Sequence, residues 1–166
     1  MINESNLSRC YSEIANKLNE IIPVKWEKVA MYAEESGDVS SASFYFYTEE
    51  KEGKLIEHNS GNLKNEYNMS DEEFNSLFNE LFHINKKLWL EFKKGGEQTW
   101  DGLIFKLDSN GKFKIKFVYD ADEKVGYYER MIIWAYDDLG IVPKGKFGMS
   151  IVQDYLKSKG EKLKFE

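Results

Sequence analysis

Residues 99–120 read TWDGLIFKLDSNGKFKIKFVYD, and they decide the class of fold. Asp108-Ser-Asn-Gly111 sits at the centre, where Asn-Gly supplies the positive φ that a tight turn requires. The return strand then alternates without a break. Phe113, Ile115, Phe117 and Tyr119 face one side, and Lys112, Lys114, Lys116 and Val118 face the other. One buried face and one wet face describe an antiparallel hairpin, Thr99–Leu107 against Lys112–Asp120.

Working back from the hairpin, Gly95-Gly96 stops a long helix that begins after Ser70. Ser70 and Glu73 have the spacing of a capping box, and Asp71, Glu72 and Glu73 sit at the positive end of the helix dipole. Phe74, Leu77, Phe78, Leu81, Leu88 and Phe92 make its core stripe, and Lys93 and Lys94 sit at its negative end. Residues 59–69, NSGNLKNEYNM, are polar and turn-prone and read as a loop. Before them come a short strand at Lys54–His58, an aromatic-rich strand at residues 40–49, and a strand over 24–34 packed through Val24, Trp26, Val29 and Met31. The first helix runs from about Ser5 to Ile21 on a stripe of Leu7, Tyr11, Ile14, Leu18 and Ile21, and Pro23 ends it.

Beyond the hairpin, residues 120–126 form an acidic loop. Tyr127–Leu139 then reads as a helix closed by Gly140, with Pro143 just past it. Tyr128, Met131, Ile132, Ala135 and Leu139 follow core spacing. Tyr127, Arg130, Trp134 and Asp138 lie along a neighbouring face. Aromatics beside an arginine and carboxylates have the composition of a partner-binding surface, and the same aromatics could equally be core beneath another element. Lys144–Gly148 reads as a Gly/Lys-rich link to a last helix over about Ser150–Lys159. The whole is an α+β fold on a single domain spanning residues 1–166. An antiparallel sheet of about five strands packs with an N-terminal helix, a long central helix and C-terminal helices.

The chain has 166 residues, enough to bury a core without metal or disulfide. Its 42% hydrophobic content favours a folded globule over disorder. The single cysteine, Cys10, excludes an intrachain disulfide and lies on the stripe of the first helix as a small hydrophobe. A net charge of −6 argues against direct nucleic-acid binding and suits a basic partner. No apolar run is long enough to span a membrane, and MINESNLSRC lacks the form of a signal peptide. The expected place of action is the cytoplasm.

No catalytic set emerges. His58 and His83 lack metal-ligand spacing, and there is no nucleophile elbow, phosphate loop or dinucleotide fingerprint. No cofactor and no metal are expected. The carboxylates Asp120, Asp122, Glu123, Glu129, Asp137 and Asp138 are the only acid–base candidates. They read either as a solvated surface or as a docking surface for a basic partner.

Four pieces occur in a telling order: Tyr11-Ser-Glu-Ile-Ala-Asn-Lys, then Ile22-Pro23-Val24-Lys25-Trp26-Glu27-Lys28-Val29, then Phe117-Val-Tyr119-Asp120, then Leu139-Gly140-Ile141-Val142-Pro143. In this the chain resembles the YezG-like immunity proteins, antitoxins of secreted nuclease toxins of the LXG and related type VII-exported classes. The resemblance spans about residue 7 to about residue 156 and implies a partner: the C-terminal nuclease domain of a toxin, neutralised by occlusion. It supplies no catalytic residues. From the residues themselves, the expected partner-binding set is Asp120, Asp122, Glu123, Tyr127, Arg130, Trp134, Asp137 and Asp138. The alternative function is a small-molecule-binding protein or hydrolase with an aromatic-lined pocket and the acidic loop. A third reading is a structural homodimer.

Overall fold

A computed structural model describes residues 1–163. Its contacts divide the chain into two compact units, Met1–Ala121 and Asp122–Glu166.

The first unit opens with helix α1 (Glu4–Ile21), capped by the Asn3 side chain, which accepts from the Asn6 N–H. Cys10, Ile14, Leu18 and Ile21 are buried along one stripe. The chain does not enter a strand directly after Pro23. Strand β1 covers Lys28–Glu35, so it starts four residues later than the expected residue 24. Residues 24–27 instead close the end of α1. Trp26 is buried and donates its indole N–H to Asn19 at 3.0 Å, while Val24, expected to pack, is exposed. Strand β2 (Ser40–Glu49) returns antiparallel to β1, and β3 (Leu55–Asn59) pairs with β2.

Residues 59–69 are not simply a loop. A single turn at Ser60–Asn62 leads into a short helix, α2 (Leu63–Glu66), whose Leu63 is fully buried. Leu63, the buried Ser60, whose hydroxyl accepts from the Phe44 N–H at 3.1 Å, and the contact of Glu66 with His58 hold the segment in place. Helix α3 (Asp71–Lys94) follows, and the Ser70 hydroxyl accepts from the Glu73 N–H at 3.1 Å as the capping spacing predicts. At 1.5 Å per residue α3 is roughly 36 Å long. It buries Phe78, Leu81, Ile84, Asn85, Leu88, Trp89 and Phe92.

Strands β4 (Gly102–Asp108) and β5 (Phe113–Val118) form the expected hairpin. The Asp108 carboxylate holds the turn, accepting from Asn110 at 2.9 Å and Lys112 at 3.0 Å. The five strands form one antiparallel sheet in the order β3-β2-β1-β4-β5. Val29, Met31, Ala33, Phe44, Phe46, Leu103, Phe105 and Leu107 line its core face, packed with α1 and α3. Glu35 is buried at the end of β1, where its carboxylate accepts from the Gly37 N–H at 2.9 Å and from the Ser40 hydroxyl, bracing the β1–β2 turn.

The second unit contains helices α4 (Tyr127–Leu139) and α5 (Lys146–Ser158), packed on each other. Gly140 closes α4 at φ +70°, and its N–H returns to the Ala135 and Tyr136 carbonyls. That left-handed geometry favours glycine. The core stripe of α4 differs from its expected form. Met131, Ile132 and Ala135 are buried, as are Trp134 and Tyr136, but Tyr128 is exposed. The expected link at Lys144–Gly148 is helical from Lys146. Gly148 is there for packing, since a Cβ on it would lie 2.7 Å from the Pro143 Cβ.

Candidate functional site

The eight expected partner-binding residues divide between the units. Asp120 lies at the end of the first, and the other seven belong to the second. Asp120 is exposed and takes a left-handed backbone, φ +57°, which aspartate tolerates better than most residues. The next residue, Ala121, donates its N–H to the Asp101 carboxylate at 3.0 Å and ties this turn to the foot of β4.

In the second unit the acidic loop is held from inside. The Asp122 carboxylate accepts from the Lys124 N–H at 2.9 Å. Arg130 donates through Nη1 to the Asp122 carbonyl at 2.7 Å and also to the Val125 carbonyl. Its guanidinium thus staples the loop backbone to the first turn of α4. Asp122 and Glu123 stay exposed in front of the helix N-terminus, where its dipole favours negative charge. Tyr127 is half-buried.

At the other end of α4, Trp134 exposes 7% of its surface and donates its indole N–H to Asp138 at 3.0 Å. Its direct role is to position that carboxylate. Asp137 accepts from the Tyr155 hydroxyl on α5. Burial, and then that hydrogen bond, push the Tyr155 phenol above the ordinary tyrosine range, while Lys159, donating at 3.2 Å, pulls the other way. Asp137 and Asp138 both remain exposed. They sit in the last turn of α4, which has no basic residue of its own, and Lys159 at the end of the neighbouring helix acts on Asp137.

The carboxylates close in sequence are therefore two groups in space. The 13 residues of α4 separate them by roughly 20 Å at 1.5 Å per residue. A pair that spans the helix is therefore too far apart for paired-carboxylate chemistry, which needs roughly 5–10 Å. Among the described residues, no group of three or more His, Cys, Asp or Glu side chains is placed to hold a metal ion. None of the described helices is long and apolar enough to cross a membrane.

Two features escaped the sequence reading. Tyr128 and Phe147, 47% and 66% exposed, stack with ring centres 5.7 Å apart and form an aromatic patch on α4 and α5. A phenylalanine between Lys146 and Gly148 was the available signal. The second feature is a line of three polar side chains. Thr48 Oγ1 lies 2.7 Å from His58 Nε2, and His58 Nδ1 lies 2.6 Å from a Glu66 oxygen. A hydroxyl, an imidazole and a carboxylate in series resemble a proton relay. Here the largely buried ring stacks on Phe46 at 4.7 Å and ties β2 and β3 to α2. Cys10 is buried, which pushes its thiol pKa up, with Glu13 adding to the effect.

A family model described as "Immunity protein YezG-like" matches residues 7–153. The chain is 36% identical over 156 residues to Immunity protein YezG of Bacillus spizizenii, covering 92% of this chain and 94% of that protein. It is 35% identical over 149 residues to Immunity protein YezG of Bacillus subtilis, covering 88% and 96%. With the Type VII secretion system protein EsaG of Staphylococcus aureus it shares 29% identity over 155 residues, covering 91% and 92%. The chain belongs to the family of YezG-like immunity proteins.

Proposed function

We propose that this chain neutralises the nuclease domain of a cognate secreted toxin in the cytoplasm of the producing cell, by binding and occluding it without turnover. The observation that carries the reading is the net charge of −6, with Asp137 and Asp138 exposed at one end of α4. An acidic surface draws in a basic partner, and a nuclease surface shaped for phosphates is basic. Asp120, Asp122 and Glu123 add to the attraction, Arg130 fixes the loop that carries two of them, and Tyr127 borders the set. Tyr128 and Phe147 add an exposed aromatic anchor of the kind that dominates interface energetics.

To the acidic loop on which the alternative hydrolase reading draws, the described residues add the line Thr48, His58 and Glu66, and that ring is committed to holding β3 and α2. The test is to mix the purified chain with the toxin domain encoded beside its gene, in the presence of a chelator. A metal-independent 1:1 complex that abolishes cleavage of DNA or RNA is the expected result. Neutralisation of a toxin domain that cleaves neither would overturn the nuclease assignment and leave the immunity role standing.

A further inference from the structure

The two edges of the sheet are built differently. β3 is five residues long and runs directly into the turn at Ser60. β5 runs six residues, in register with β4 from Leu107↔Phe113 to Gly102↔Val118. The bond from the Asp108 N–H to the Lys112 carbonyl, 2.9 Å, fixes the phase of the ladder. Antiparallel alternation then makes Lys106–Lys114 and Ile104–Lys116 the bonded pairs. The N–H and C=O groups of Phe113, Ile115 and Phe117 therefore point off the sheet, and no hydrogen bond meets them among the described residues. A strand laid along this edge would complete them.

The side chains say which strand fits. On the core side the outer row is Phe113, Ile115 and Phe117. Phe113 stays 41% exposed although it stacks on Phe105 and meets Tyr11 edge-on. On the other side, Lys114 and Lys116 are exposed. Lysines on an open edge disfavour a neutral strand, which would desolvate them without compensation, and a second copy of the same strand, which would set lysine against lysine. They do not repel an acidic strand. Ile115 and Phe117 pack against the core, and Phe113 leaves the open end of their row 41% exposed for an apolar side chain of an added strand to cover.

We propose that β5 takes up, as an added strand, an extended segment of the toxin that alternates apolar and acidic residues. Its apolar side chains continue the Phe113–Phe117 row, and its carboxylates meet Lys114 and Lys116. The identity of the partner rests on the immunity reading above; the recognition chemistry does not. The probes are two short capped peptides, one alternating valine with glutamate and one alternating valine with lysine, titrated against the intact chain. Amide hydrogen exchange is read at Phe113, Ile115 and Phe117. The glutamate peptide is expected to slow those three amides about tenfold or more, with the lysine peptide inert. The double variant Lys114→Glu with Lys116→Glu, at exposed sites that leave the fold intact, should reverse the preference. Unchanged exchange with the glutamate peptide, equal effects of both peptides, or indifference to the charge reversal each overturns the proposal. No toxin enters this experiment, so its failure leaves the neutralisation reading untouched.

Discussion

Helices α3 and α4 are equally plain as helices in the sequence, yet only α3 shows which way it faces. At 100° per residue, the buried side chains of α3, from Phe78 to Phe92, fill an arc of about 140°. The apolar pattern then has one solution. In α4 the buried set is Met131, Ile132, Trp134, Ala135 and Tyr136, which spans about 200°. When more than half the circumference is apolar, periodicity finds the helix but cannot name its outer face. That is why Tyr128, on an ideal core spacing, is exposed, and Trp134, on the neighbouring face, is not.

The comparison breaks most visibly at Trp134. Trp134→Ala should destabilise the chain by about 3–5 kcal/mol and Leu81→Ala, on the narrow stripe of α3, by about 2–5 kcal/mol, both read from urea denaturation. A Trp134→Ala cost below about 1 kcal/mol would mean that the wide buried arc of α4 is wrong. Tyr128→Ala sharpens the contrast from the other side. It loses one stacked ring, so stability should fall by about 1 kcal/mol or less. Toxin affinity should fall about tenfold, as truncating an exposed aromatic anchor does. A Tyr128→Ala chain that binds as tightly as the parent would remove the aromatic patch from the interface.

What the sequence made legible follows the same physics. The β4–β5 hairpin was readable because Lys114 and Lys116 alternate with Ile115 and Phe117 on either side of an Asn-Gly turn. The start of α3 was readable because Ser70 caps it within its own turn. Segments that depend on a distant partner were not readable. Leu63 orders residues 60–66 only once the core exists to receive it, and Gly148 looks like a helix breaker until Pro143 lies against it. At the candidate site, the exposure of Asp122, Glu123, Asp137 and Asp138 was legible, since charge stays wet. Their division into two groups was not, because proximity along the chain says nothing about the length of the helix between them. The Thr48–His58–Glu66 line was hidden for a related reason. It needs the β2–β3 register and α2 in place before the three side chains meet.

Neutralisation by this surface requires that those carboxylates meet a basic partner. The direct measurement is the association rate with the toxin domain as a function of salt. It should be made for the parent chain and for a variant carrying Asp120→Asn, Asp122→Asn, Glu123→Gln, Asp137→Asn and Asp138→Asn. The parent rate should fall as ionic strength passes ~0.1 M, where the screening length is about 10 Å. The variant should associate more slowly at low salt and respond little to added salt, while its denaturation midpoint shifts far less than its on-rate. A parent on-rate indifferent to salt, or a variant as fast as the parent at low ionic strength, would contradict the account.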